Sequence, residues 1–333
     1  MIKKGMKLGH NEIMIVSKYF DSINDFINLE IGIKRFQGNI ERFHFNPIPL
    51  NEHSRKLFSN IETFHIYDRK DKIFEDGKIN KKVIWYKLKY STYLEEKQKG
   101  NICENIAYTK SDMMKYKNKI PSEVKSLDEF KSLTSITIPT TITKIECCCF
   151  LACDSLRNMN IDNLQFVSKE RIFMNEPTLI SIKIPESLQT INGKEVQKKD
   201  INEFIIPTTI TKLGNECFSG CSSLTTITIP TTIIEIGSSC FNECISLISI
   251  NIPSLINTIA DSCFYECMSL TNIMLPSLVT KLGWNSFERC TSLKEINIPS
   301  LVSEIGMHCF SDCISLTSVN IPALVSKLPC YCF

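Results

Sequence analysis

The stretch Leu247-Ile248-Ser249-Ile250-Asn251-Ile252-Pro253-Ser254-Leu255-Ile256-Asn257-Thr258-Ile259-Ala260-Asp261-Ser262-Cys263-Phe264-Tyr265-Glu266-Cys267-Met268-Ser269 decides the fold, and Leu270 opens it again. Ile250-Asn251-Ile252 alternates with a period of two and is β-branched, which predicts a short strand with one buried face. Pro253 has no N–H to give to a ladder, so it closes the strand. Cys263, Phe264 and Cys267 stand at i, i+1 and i+4, positions that one helical turn places on a shared inward face. The unit then recurs. Prolines fall at Pro139, Pro185, Pro207, Pro230, Pro253, Pro276, Pro299 and Pro322, stepping by 23 residues from Pro207 onward. Phenylalanines keep the same clock at Phe150, Phe173, Phe218, Phe241, Phe264, Phe287, Phe310 and Phe333. A unit this short cannot bury its apolar side alone, whereas stacked coils bury it continuously.

One strand and one helical turn per coil lies within the period of about 20–29 residues of leucine-rich repeats. The pattern Leu-X-X-Ile-X-Ile-Pro-X-X-Ile-X-X-Ile-Gly-X-X-Cys-Phe-X-X-Cys-X-Ser-Leu resembles the BspA-like leucine-rich repeat family. Such proteins abound in parasitic amoebae and trichomonads and occur in some bacteria. The resemblance implies an α+β solenoid of parallel strands, with roles in surface recognition or adhesion. In that family the first Cys slot is often Ala. Here Cys149, Cys217, Cys240, Cys263 and Cys309 fill it, and Ser286 does so once, which marks the slot as one for small residues.

The chain has 333 residues, 43% of them hydrophobic and 22% charged, a balance that excludes wholesale disorder. A formal net charge of +2 gives no strong draw toward nucleic acid or anionic lipid, so no nucleic-acid partner is expected. The sixteen cysteines need a reason, because a chain this long requires no disulfide staples. Their recurrence in nearly every coil, with His308 the only histidine after residue 65, points to buried core thiols in place of metal ligands or disulfides. No P-loop, Gly-X-Ser-X-Gly, His-Glu-X-X-His or dinucleotide glycine pattern is present, so a non-enzymatic protein without cofactor is expected.

The amino end carries Lys3, Lys4 and Lys7 without an apolar run behind them, and no stretch approaches a membrane span. No Asn-X-Ser/Thr acceptor occurs either. These features together predict a cytoplasmic protein with no transmembrane segment. Residues 1–130 hold 24 Lys/Arg against 18 Asp/Glu, and the remainder 14 against 18, a shift that marks a boundary near residue 130.

Three regions follow. Residues 1–45 read as a helical, F-box-like cap: Ile13, Val16, Phe20, Phe26, Leu29, Ile33 and Phe36 have helical spacing, and Asp21-Ser22 can end one helix and cap the next. Leu8, Glu12, Tyr19-Phe20, Asp25-Phe26, Leu29 and Lys34-Arg35-Phe36 carry the F-box-like resemblance, with Gly9 where that motif has Pro. Residues 46–120 read as a divergent repeat region. In it Asn60–Ile66 and Val83–Leu88 predict strands, and Lys70, Lys72, Lys78, Lys81 and Lys82 a charged insertion. Residues 121–333 form the array, opened by Ile120-Pro121. Between Leu156 and Lys199 it loses Pro at Asp162, both cysteines around Phe173, and Phe at Val196.

Binding in solenoids belongs to the concave sheet. The strand positions flanking each inward Ile are Ser135/Thr137, Ser181/Lys183, Thr226/Thr228, Ser249/Asn251, Asn272/Met274, Glu295/Asn297 and Ser318/Asn320. They predict a neutral, hydrogen-bonding surface suited to a protein partner; ladders of Thr and Asn satisfying one another are the structural alternative. The chain stops at Cys330-Tyr331-Cys332-Phe333, a Cys-a-a-X pattern that makes Cys330 a lipidation candidate. The leading expectation is a protein-binding solenoid. A second reading is an F-box-like substrate adaptor of a ubiquitin ligase, and a third is a prenylated scaffold in peripheral contact with the membrane.

Overall fold

The computed structural model describes residues 20, 22–34, 37–76, 78–116, 120–128, 130, 133–146, 149–150, 153–199 and 201–333. Leu8, Glu12, Ile13, Val16, Tyr19, Asp21, Arg35, Phe36, Cys147 and Cys148 lie outside them. The chain divides into two compact units, Met1–Ala107 and Tyr108–Phe333.

In the first unit, the helix Ile23–Gly32 starts where Ser22 was expected to cap it. Ser22 donates its backbone N–H and its hydroxyl to Asp25 Oδ2, at 2.9 and 2.8 Å. The helix buries Phe26 edge-on against Phe43 and Phe58, with centroids 5.8 and 5.4 Å apart. Thr63–Ile66, Lys81–Ile84 and Ile102–Cys103 pair in parallel, and Phe64, Ile66 and Ile84 point into the core. Lys81 and Lys82 therefore open a strand and do not belong to the insertion. The chain leaves the ladder at Trp85, earlier than the apolar run through Leu88 suggests.

In the second unit each regular coil has three faces. The front row holds Glu203–Ile205, Thr226–Thr228, Ser249–Ile250, Asn272–Met274, Glu295–Asn297 and Ser318–Val319. These pair in parallel with a constant offset of one coil, as in Thr226↔Ser249 and Ile273↔Ile296. A side row repeats the pattern, as in Lys212↔Glu235 and Lys281↔Glu304. The third face is the Cys-Phe segment. It turns through i→i−3 bonds, such as Cys267 N–H to the Phe264 carbonyl at 3.1 Å. Ser262 and Glu266 have φ of 53° and 56°, so the segment is two tight turns and not an α-helical one. The segment leaves N–H groups for bonds between coils. Phe241 N–H reaches the Cys263 carbonyl of the next coil at 2.9 Å, and Phe264 N–H reaches Ser286 at 2.8 Å. These donors tie each turn to the coil that follows.

The core repeats with equal regularity. Phe241, Phe264, Phe287 and Phe310 stack in one column, with ring centroids 5.4–5.5 Å apart. Gly237 lets coils approach closely, since a Cβ there would lie 2.6 Å from Asn215 N.

The clock fails between Leu156 and Lys199, as the missing residues foretold, and the structure shows what replaces it. Arg171–Met174 pairs antiparallel with both Leu164–Val167 and Thr178–Lys183. The start of Thr178–Lys183 joins the side row through Thr178↔Lys212. Ser181 is therefore not a front-row residue. It is 5% exposed and donates to the Cys217 carbonyl at 2.5 Å. Thr190–Ile191 pairs with Asn158–Ile161, and Glu203 begins a separate front sheet.

Candidate functional site

Alternation along the front strands puts every second side chain outside. Thr226, Thr228, Ser249, Asn251, Asn272, Glu295, Asn297, Ser318 and Asn320 are exposed, while Ser135 and Thr137 are half-buried. The inward partners Ile227, Ile250, Ile273 and Ile296 are buried. The expected columns therefore stand side by side at the spacing of neighbouring strands.

Their hydrogen bonding separates them. Asn320 is committed to the fold: its Oδ1 accepts from Ile298 N–H and its Nδ2 donates to the Ile298 carbonyl, both at 3.0 Å. Thr190 and Asn158 in the irregular stretch also satisfy each other, at 2.7 Å. Thr226, Thr228, Ser249, Asn251, Asn272, Asn297 and Ser318 have no side-chain hydrogen bond among the described residues, so their polar groups face solvent.

Two apolar features join this surface. Ile205 and Met274 lie in the second column and are 77% and 80% exposed. Ile205 escaped the sequence pattern because Phe204-Ile205-Ile206 is apolar throughout, and no alternation shows which residue faces out. Leu255, Leu278, Leu301 and Leu324 form a ridge two residues after the strand-closing prolines, each about half exposed. The signal was present as Pro-Ser-Leu three times and Pro-Ala-Leu once, but its leucine falls where a turn is expected to be polar. Few isolated surface leucines need explaining; a column of four is an unusual apolar strip.

The cysteines do something else. The fourteen described ones are free thiols, and twelve are buried. Burial pushes Cys263 from an ordinary 9.0 to about 12, and Cys221 likewise to about 12. The second cysteine of a coil donates its S–H to the Phe carbonyl of the coil before. Cys244 reaches Phe218, Cys267 reaches Phe241 and Cys290 reaches Phe264, each at 3.2 Å. Among the described residues no group of three His, Cys, Asp or Glu side chains converges as a metal site would require. Cys330 is exposed, whereas Cys332 is buried and Phe333 stacks on Phe310 at 5.5 Å. Among the described residues no helix is long and apolar enough to cross a membrane.

The profile of the BspA-type leucine-rich repeat region matches residues 115–225 and 211–333, in six copies. The chain belongs to this family. Its repeats point to a protein-interaction or surface-adhesion module. A leucine-rich cell surface protein of Faecalibacterium prausnitzii is 19% identical, with 79% of this chain and 73% of that one covered and a TM-score of 0.44. The Treponema leucine-rich repeat protein of T. pallidum is 25% identical over 47% of this chain and 72% of its own, with a TM-score of 0.39. The pneumococcal vaccine antigen PcpA is 18% identical over 81% and 68%, with a TM-score of 0.42. No curated protein matches the chain.

Proposed function

We propose that this BspA-type solenoid binds a protein partner across its front row, between Glu203 and Ser318, without catalysis. One observation carries the reading: the front columns expose hydroxyl and amide groups that have no internal partner, with Ile205 and Met274 set among them. Glu203 and Glu295 are the charges in the columns from 203 to 320, so the surface suits hydrogen bonding to peptide groups and contact with apolar side chains better than it suits phosphate. The leucine ridge extends the apolar contact beyond the strands.

A photo-crosslinking residue at Asn251 tests this, with one at Ser303 as the off-face control. The Asn251 probe is expected to capture a defined partner that Met274→Asp abolishes. Equal capture from both positions, or capture indifferent to Met274→Asp, removes the front row as the binding surface.

A further inference from the structure

The antiparallel stretch opens a cleft of about 1090 Å³ between the turn near Cys149 and the turn near Gly220, lined in part by Glu146, Glu170, Arg171, Lys183, Glu216 and Ser219. Arg171 is 7% exposed. Its Nε donates to Ser181 Oγ at 2.5 Å, its Nη1 to the Ser219 carbonyl at 3.0 Å, and its Nη2 to the Ser181 carbonyl at 3.5 Å. All three acceptors are neutral oxygens, so none of them is a counter-ion to the buried charge. A guanidinium carries five N–H donors. One on Nη1 and one on Nη2 remain without an acceptor among the described residues.

The opposite deficit lies next door. Glu170 accepts the Ser223 hydroxyl on Oε1 at 3.0 Å, while its Oε2 is buried and has no donor. Burial pushes the half-buried Glu216 carboxyl up; Arg171 pulls it back and Glu146 adds to the rise. A buried cation with spare donors and a buried carboxylate oxygen with none are each unfavourable alone. Arg171 and the half-buried Glu216 line one cavity, where an acidic and a basic group set side by side would each meet the opposite charge.

We propose that this cleft binds a peptide segment in which an acidic side chain neighbours a basic one. The acidic group takes the two spare Arg171 donors in a forked pair, and the basic group meets the half-buried Glu216. The volume exceeds the range of about 300–1000 Å³ typical of small-molecule pockets, which favours several residues of chain over a single free amino acid. Exposed Lys183 and Glu186 on the rim leave the entrance charged with both signs. The site is separate from the front row and stands or falls apart from it.

Calorimetric titration of the full chain with acetyl-Gly-Gly-Asp-Lys-Gly-Gly-amide tests the assignment, with the Asn-Gln version as the neutral control. The charged peptide is expected to bind at least about tenfold more tightly. Arg171→Lys keeps the charge but loses the fork, and is expected to weaken binding about tenfold. Glu216→Gln serves as a second, isosteric variant should the first disturb folding, and is expected to erase the preference for Lys over Gln. Met274→Asp is expected to leave this binding unchanged. Equal affinity for the two peptides, or wild-type affinity in folded Glu216→Gln and Arg171→Lys, overturns the proposal. Binding of free lysine without binding of the hexapeptide overturns it as well.

Discussion

The coils after Ile201 and the stretch from Leu156 to Lys199 solve the same packing problem differently. In the regular coils one set of contacts is copied: a ring on a ring, a thiol on a carbonyl, an N–H to the next turn. In the irregular stretch the chain folds back on itself in antiparallel strands, and the front row ends and begins again. Even so, Phe173 is fully buried and its ring lies 5.0 Å from Phe218. The side row also starts inside this stretch, by Leu179↔Leu213. The junction of this stretch with the regular coils therefore rests on the aromatic column and the side row. Proline and the front strands are dispensable for one coil.

The sharpest way to break this comparison is alkali. No cysteine lies between Cys153 and Cys217, so thiol effects after Leu156 belong to the regular coils alone. An unfolded thiol loses its proton near 9.0, whereas folded Cys263 and Cys221 hold theirs to about 12. The folded state thus binds more protons across that window. Its stability is complete below pH 9 and falls as pH rises toward 12, by up to about 1.4 kcal/mol per pH unit for each such thiol. Hydrogen exchange at pH 10.5 should show the coils after Cys217 opening before the antiparallel stretch. A uniform loss would contradict the division.

Next in size, Phe264→Ala should cost about 3–5 kcal/mol in urea unfolding through the cavity it leaves. Phe173→Ala should cost about as much if the column truly runs through the interruption; a cost under about 1 kcal/mol would show that it does not. Cys267→Ala should cost about 1–3 kcal/mol, from a lost donor to Phe241 and lost sulfur volume. Cys267→Ser keeps the donor, so its cost relative to Ala separates bonding from packing. Smallest of all, Thr228→Ala on the front row should change stability by less than about 0.5 kcal/mol, since its hydroxyl supports nothing inside. A larger loss would assign that column to the fold.

The regular coils were legible because their period, prolines and inward isoleucines agree with one another, and each agrees with parallel stacking. Two things were hidden. The interchange of Cys and Ser in the first slot spoke of size, and it concealed that the constant second cysteine is a hydrogen-bond donor. Such a bond joins residues 26 apart, as Cys267 and Phe241 are, and no local pattern announces it. The antiparallel strands were hidden for a different reason. Thr178-Leu-Ile-Ser-Ile-Lys183 has strand composition, but the proline clock assigns it to the front row, and only its pairing with Lys212 places it elsewhere. The expected front residues from Thr226 to Asn320 are exposed, whereas Ser181 is buried; Asn320 could be told from Asn297 only by finding its bonds to Ile298.

The thiol-to-carbonyl bond overshoots the length of one coil, from Cys267 back past its own unit to Phe241. No coil is therefore a closed module. A duplication that inserts one whole coil anywhere among the regular ones reproduces every such bond, whatever the breakpoint, because the partner is defined by distance along the chain. A cut between coils, by contrast, strands a donor on one fragment and an acceptor on the other. The array can grow by copying more readily than it can be divided.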